Sequence, residues 1–144
     1  MTDRKRVLFL CTGNSARSQM AEAWLRALAG EVFEVHSAGT EPRGLHPLAV
    51  TVMREVGIEI GHQVSKSADP YLGEPWDFVI TLCDHARESC PVLPGAREQI
   101  HWSFDDPADP ALPEEQRVHV FRRVRDEIKQ RLSQFVMTRQ GRDR

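Results

Sequence analysis

Short apolar runs alternate along this chain with segments of helical periodicity, and this order constrains the fold more than any other feature. Strands are predicted at residues 6–10, 32–36 and 77–82, with a short last strand at Ile100 and Trp102. Helices are predicted from Met20 to Leu28, from Pro47 to Val56, briefly at residues 70–72 and over residues 114–136, and a helical turn is predicted at residues 83–90. Because such alternation favours parallel pairing, we expect a single α/β domain: a four-stranded parallel sheet with flanking helices.

The size and composition of the chain are those of an ordinary globular domain. It has 144 residues, 40% hydrophobic and 28% charged, with a formal net charge of -2, which gives no indication of nucleic-acid or membrane binding. We assign residues 1–138 to the domain and expect the basic end, residues 139–144, to be a flexible tail. Neither a signal peptide nor an apolar membrane span is visible, so we expect a cytoplasmic location. We also expect a monomer.

A loop of small and polar residues follows the first predicted strand and leads into the first helix. It reads Cys11-Thr12-Gly13-Asn14-Ser15-Ala16-Arg17-Ser18. The N–H groups and partial positive charge of a helix N-terminus bind tetrahedral anions, and Arg17 adds a planar cation that can hold two oxygens. Gly13 permits a tight backbone path, and Asn14 tolerates left-handed geometry. The sequence therefore predicts an oxyanion site formed by residues 12–18.

Cys11 is the predicted nucleophile at this site. The positive field of the loop favours its thiolate, which is the attacking species, and Ser18 can donate a hydrogen bond to it. The alternative is a small buried cysteine with Arg17 in a surface ion pair, but the position of the loop between strand and helix favours catalysis. Cys83 and Asp106 also follow predicted strands. In a parallel sheet these residues and Cys11 therefore meet at one edge.

The loop resembles that of the low-molecular-weight protein tyrosine phosphatases, and the run from Cys11 to Glu22 resembles their relatives, the thioredoxin-coupled arsenate reductases. The similarity continues through Ser37-Ala38-Gly39, Thr81-Leu82-Cys83, Cys90-Pro91 and residues 101–107 and 123–128, and so covers nearly the whole chain. It implies a low-molecular-weight phosphatase-like fold that reduces arsenate to arsenite without a metal or another cofactor.

The resemblance also implies a relay of three cysteines, in which Cys11 is followed by Cys83 and then Cys90. The final disulfide would be reduced by thioredoxin, which thioredoxin reductase and NADPH supply with electrons. The spacing shows only that a relay is possible: a rigid helix would hold residues seven positions apart about 10.5 Å from each other, so the segment must open for a bridge to form. Two alternatives stay open on the residues alone. Cys83 and Cys90 can be ordinary half-buried side chains, or metal ligands with His85, although a fourth ligand is missing.

The resemblance assigns a general acid and a cation-site region as well. The acid is Asp106, the aspartate directly before Pro107, while Asp105 would cap or orient. Relatives can bind potassium near the loop, and Asn14, Glu22 and Ser37 match that region. An acidic ligand is expected where this chain has Lys66, and we hypothesise that the lysine ammonium replaces the ion; a solvated Lys66 is the alternative.

Three functions fit the loop alone: arsenate reduction, phosphomonoester hydrolysis and non-catalytic anion sensing. Hydrolysis does not need Cys83 and Cys90, and a sensor has no use for Asp106 or three thiols, so the sequence favours reduction with weak residual phosphatase activity. The histidines at positions 36, 46, 62, 101 and 119 show no ligand spacing and are interpreted as structural or surface residues.

Overall fold

The computed structural model describes residues 4–83 and 95–142, and within these ranges one sheet of four parallel strands forms the centre of the molecule. The strands are β1 (Lys5–Cys11), β2 (Phe33–Gly39), β3 (Trp76–Thr81) and β4 (Ala96–His101). They lie in the order β2-β1-β3-β4, with β1 paired to β2 on one side and to β3 on the other. The predicted α/β class and four-stranded parallel sheet are confirmed.

The burial of each strand explains its sequence pattern. β1 occupies an inner position, and its residues from Val7 to Cys11 are all buried, which is why it reads as a continuous apolar run. β4 pairs with β3 at one end of the sheet and alternates half-buried with exposed residues, and its sequence is accordingly mostly polar.

The helices are α1 (Arg17–Ala29), α2 (Pro47–Glu55) and α3 (Glu114–Arg142), with a short 3-10 helix at Asp69–Tyr71. Pro47 begins α2 directly after its N-cap residue His46, whose Nδ1 accepts a hydrogen bond from Leu48 N at 3.0 Å. The apolar stripe of α3, from Phe121 to Leu132, is fully buried in the main core with residues of α1 and β2. No helix within residues 4–83 and 95–142 is long and apolar enough to cross a membrane.

Several predicted boundaries were wrong by a few residues. Trp102 follows β4 instead of belonging to it, and α1 begins at Arg17, three residues before Met20. Helix α3 continues past Val136 to Arg142, because Arg139 pairs with Glu98 on β4 at 2.5 Å and so provides a tertiary contact beyond the apolar stripe. The flexibility expected of residues 139–144 stays a prediction, and the helical turn predicted at residues 83–90 falls almost entirely outside the described residues.

Candidate active site

The loop after β1 has the carbonyl groups of residues 12–16 held by hydrogen bonds. The five bonds are Glu41 N to Thr12 O (2.9 Å), Arg43 N to Gly13 O (3.0 Å), Gln19 Nε2 to Asn14 O (3.0 Å), His46 N to Ser15 O (3.0 Å) and Met20 N to Ala16 O (2.9 Å). In a planar trans peptide the next N–H points opposite to the carbonyl. Each bound carbonyl therefore leaves the next N–H group on the opposite side of its peptide plane, free of competition from that bond.

Two further features fit this loop to an anion. The N-cap residue of α1 is Ala16, whose side chain carries no acceptor and cannot compete with an anion for the N–H groups of the first helical turn. Asn14 has a φ of 45°, the left-handed geometry expected from its sequence position. The loop is thereby bent toward a cavity of about 270 Å³.

This cavity brings together residues that are far apart in the sequence. Its walls are formed by Cys11, Thr12, Gly13, Ser15, Ala16, Arg17, Arg43, His46, Asp106, Ala108 and Pro110. The predicted nucleophile, cation and acid therefore share one pocket at the carboxyl edge of the sheet. Asn14 and Ser18 are fully buried behind the loop.

Arg17 is a buried cation that joins three parts of the site. Only 4% of the residue is exposed. Its Nη1 lies 3.4 Å from Leu82 O and 3.3 Å from Phe104 O, and its Nη2 is 3.9 Å from Asp106 Oδ2. The guanidinium is thus held between the end of β3, the loop that carries the acid, and the pocket, where its charge attracts an oxyanion.

Cys11 lies at the end of β1, and its Sγ is 2.9 Å from Ser18 Oγ. Asn14 Nδ2 donates to the same Ser18 oxygen at 2.8 Å. Because the amide donates to this hydroxyl, the hydroxyl's single proton is available for the sulfur. The geometry therefore supplies a hydrogen-bond donor to a Cys11 thiolate.

A buried network continues from Asn14 to the predicted cation-site region. Asn14 Nδ2 also donates to Ser37 Oγ at 3.0 Å, and Ser37 donates to Glu22 Oε1 at 2.5 Å. Lys66 Nζ lies 3.7 Å from the same Glu22 oxygen, while Lys66 N donates to Asn14 Oδ1 at 2.7 Å. The ammonium thus stands beside a carboxylate whose side chain is only 7% exposed.

The remaining predicted residues have distinct positions. Cys83 is buried two residues beyond the end of β3, and Cys90 lies outside the described residues. Asp106 lines the pocket, and its Oδ1 accepts a hydrogen bond from Ala108 N at 3.0 Å. Asp105 instead pairs with Arg123 on α3 at 2.8 Å, at the protein surface. The two neighbouring aspartates therefore differ in position and partner: Asp106 faces the pocket, and Asp105 binds an arginine of α3.

Sequence reasoning missed four residues that line the pocket, and two of them, Arg43 and His46, carry side chains that can be charged. His46 was expected to be structural or superficial; it does cap α2, but it also lines the cavity. Burial lowers the pKa of His46, the charge of Arg117 lowers it further, and Asp106 opposes both. Nothing in the local sequence marks these two residues as anion-site residues, because their place depends on hydrogen bonds to a loop some thirty positions earlier.

Comparison with known proteins finds arsenate reductases among those to which the chain is similar. An arsenate reductase of Halalkalibacterium halodurans is 48% identical over 136 residues, covering 94% of this chain and 98% of that protein. A solved arsenate reductase in the phosphate-binding state is 33% identical, with a TM-score of 0.79 over 93% of this chain and 98% of its own. A thioredoxin-dependent arsenate reductase of Corynebacterium glutamicum is 28% identical, with a TM-score of 0.72 over 96% of this chain and 63% of its own.

The match to a family model extends well beyond the loop. The family of low molecular weight phosphotyrosine protein phosphatases matches residues 6–143, a range that holds β1 from its second residue, β2, β3, β4 and the helices α1, α2 and α3. The chain belongs to the low molecular weight phosphotyrosine protein phosphatase family.

Proposed function

We propose that this protein is an arsenate reductase that uses a three-cysteine relay and is regenerated by thioredoxin. The observation that carries the proposal is the pocket that holds Cys11, Arg17 and Asp106 together at the end of a sheet whose third strand leads to a second buried cysteine, Cys83. Relatives with this fold, at up to 48% identity, are arsenate reductases.

The first step is displacement at arsenic. Arsenate binds to the N–H groups of the loop and to Arg17, and the Cys11 thiolate attacks arsenic. Asp106 protonates the departing oxygen, which leaves as water, and a bond forms between Cys11 Sγ and arsenic. Ser18, held by Asn14, orients the sulfur. Arsenic is still pentavalent at this stage.

The second step transfers the electrons. The Cys83 thiolate attacks Cys11 Sγ, a disulfide forms, and the sulfur–arsenic bond breaks with its electron pair left on arsenic, which departs as arsenite. Cys90 then attacks Cys83 and frees the Cys11 thiolate. Two thiols have been oxidised and one arsenic has been reduced, so the electrons balance.

The third step resets the enzyme. A dithiol of thioredoxin reduces the Cys83–Cys90 disulfide, and thioredoxin reductase with NADPH restores that dithiol. The similarity to the thioredoxin-dependent enzyme of C. glutamicum supports this partner. No cofactor enters the scheme, and we propose that the protein acts as a monomer in the cytoplasm, where thiols are kept reduced.

The relay is tested by arsenate turnover coupled to thioredoxin, thioredoxin reductase and NADPH. Wild type should turn over continuously, and Cys83→Ser should release no arsenite. Cys90→Ser should release about one equivalent and stop as a Cys11–Cys83 disulfide, visible as a mass loss of two hydrogens. A phosphate-ester assay on each variant checks that the Cys11 pocket is intact. Continuous turnover by either variant contradicts the relay.

The same pocket supports weak hydrolysis of phosphomonoesters. Phosphate and arsenate share shape and charge, and Cys11, Arg17 and Asp106 are the groups that hydrolysis requires. We expect a slow phosphatase activity that Cys11→Ser abolishes and Cys83→Ser leaves in place. Loss of this activity in Cys83→Ser would contradict a pocket in which Cys11 acts alone on phosphate esters.

We also propose that Lys66 makes the enzyme independent of potassium. Its ammonium lies 3.7 Å from Glu22 Oε1, whereas Arg26 pairs with Oε2 of the same buried carboxylate at 2.7 Å, so Lys66 stands where a cation would lie beside Oε1. Wild-type arsenate turnover should be equally fast in potassium and in sodium at equal ionic strength. Lys66→Arg should likewise show no difference between the two salts. Lys66→Met should lose activity and regain part of it with potassium. A clear potassium stimulation of the wild type contradicts the idea.

A further inference from the structure

Arg43 stands at the mouth of the pocket and its position is built into the loop. Its backbone N–H donates to Gly13 O at 3.0 Å. A Cβ added to Gly13 would lie 3.3 Å from Arg43 Cδ, so the aliphatic stem of the arginine crosses directly over the bare glycine. Arg43 thus reaches the cavity wall because position 13 has no side chain.

The charged end of Arg43 is weakly engaged. Its Nη2 lies 3.9 Å from Glu41 Oε2, and the two side chains are 63% and 73% exposed. Ion pairs of this kind contribute little, since water competes for both charges and neither side chain is fixed. An anion in the pocket can therefore take the guanidinium from Glu41 at little cost.

The two arginines of the pocket differ in what they can do. Arg17 is buried and bound to the carbonyl groups of Leu82 and Phe104, so it is fixed before an anion arrives. Arg43 lines the same pocket, but its side chain is largely exposed and is paired only with an exposed glutamate, so an approaching anion can reach it from solvent. A fixed cation suits stabilisation of the reacting group, whereas an exposed one suits capture.

We propose that Arg43 is a second anion-binding side chain, which captures the oxyanion at the pocket mouth and raises its affinity without taking part in the chemical step. The inference deepens the proposed function and rests on it for the identity of arsenate as substrate. It predicts a contribution to KM that is strongest at low ionic strength, because salt screens an exposed charge within about 10 Å at 0.1 M. If the Arg43 charge lies about 6 Å from the bound anion in a water-like medium, removing that charge should weaken anion binding about three- to tenfold.

The test measures, without any arsenate, how strongly the positive charge near Cys11 favours anionic over neutral reagents. Alkylation of Cys11 by anionic iodoacetate and by neutral iodoacetamide is followed by peptide mass spectrometry, and inorganic phosphate is titrated as a protecting anion. The variants are Arg43→Gln, Arg43→Lys and the control Arg97→Gln. Arg97 is also an exposed arginine, 77% exposed and 3.8 Å from Asp77, but it lies on β4 and does not line the pocket. Arg43→Gln and Arg97→Gln thus change the net charge equally.

Arg43→Gln should lower the iodoacetate-to-iodoacetamide rate ratio and weaken phosphate protection by about three- to tenfold at 10 mM salt, and by less than about twofold at 0.5 M. Arg43→Lys should keep most of both effects, and Arg97→Gln should match wild type. In arsenate turnover Arg43→Gln should raise KM and leave kcat unchanged. An unchanged ratio in Arg43→Gln, or an equal loss in Arg97→Gln, overturns the proposal. Since alkylation needs no reductase activity, this result is independent of whether arsenate is the substrate.

Discussion

Replacing Gly39 with alanine places a methyl group against the backbone of the anion-binding loop. The added Cβ would lie 2.5 Å from Thr12 O and 2.8 Å from Asn14 N. These are backbone atoms, which cannot rotate away as a side chain can. Gly39 cannot retreat either, because it pairs with Cys11 in the sheet and its N–H donates to Lys66 O at 2.8 Å. The clash must therefore displace the loop.

The size of the effect follows from these contacts. Overpacking of this kind costs about 1–3 kcal/mol, and weakening the bond between Glu41 N and Thr12 O adds about 1 kcal/mol. The free energy of unfolding should fall by about 2–4 kcal/mol, which lowers Tm by about 4–16 °C in a domain of this size. A shift of up to about 1 Å in the loop should reduce kcat/KM for arsenate by about 10- to 100-fold.

The assay is thermal unfolding together with arsenate turnover, and the matched control is Gly61→Ala. A Cβ at Gly61 would meet only the exposed side chain of Glu59, whose Oε1 would lie 2.9 Å away and accepts hydrogen bonds from Gly61 N and from Arg54. This control should stay within about 1 kcal/mol of wild type and keep its activity. If Gly39→Ala keeps Tm within about 2 °C and kcat/KM within about twofold, the close approach of Gly39 to the loop does not constrain the site as inferred.

Two further substitutions probe the pocket and its surroundings. Arg17→Lys should lower kcat/KM for arsenate about 10²- to 10³-fold, because an ammonium cannot contact Leu82 O, Phe104 O and the anion together. A kcat/KM within about tenfold of wild type would count against this geometry. His46 has a pKa below its ordinary value, chiefly because of burial, so the unfolded chain binds its proton more readily. The free energy of unfolding should therefore fall as pH drops below about 6.5. His46→Asn can still accept a hydrogen bond from Leu48 N, and its free energy of unfolding in urea should fall less steeply between about pH 5 and 7. Equal pH slopes for wild type and variant would contradict this role of His46.

The sequence alone predicted the features that depend on consecutive residues. The apolar run of β1, the loop that follows it and the start of α1 are neighbours in the chain, so the anion site could be proposed from local chemistry. The left-handed geometry of Asn14 and the α/β class follow from the same local preferences. Boundaries were less predictable where a distant contact decides them. The end of α3, for example, depends on the ion pair between Arg139 and Glu98.

Asp106 was expected at the pocket from the sequence, but only the tertiary structure revealed that Arg43 and His46 also line it. Arg43 and His46 reach it through backbone hydrogen bonds to Gly13 and Ser15, and Lys66 approaches Glu22 for a similar reason. Backbone N–H groups are common to nearly all residue types, so such bonds leave no mark in the pattern of side chains. The amino-acid sequence therefore determined the loop that carries Cys11, the predicted nucleophile, whereas chain packing determined the charges that surround this loop.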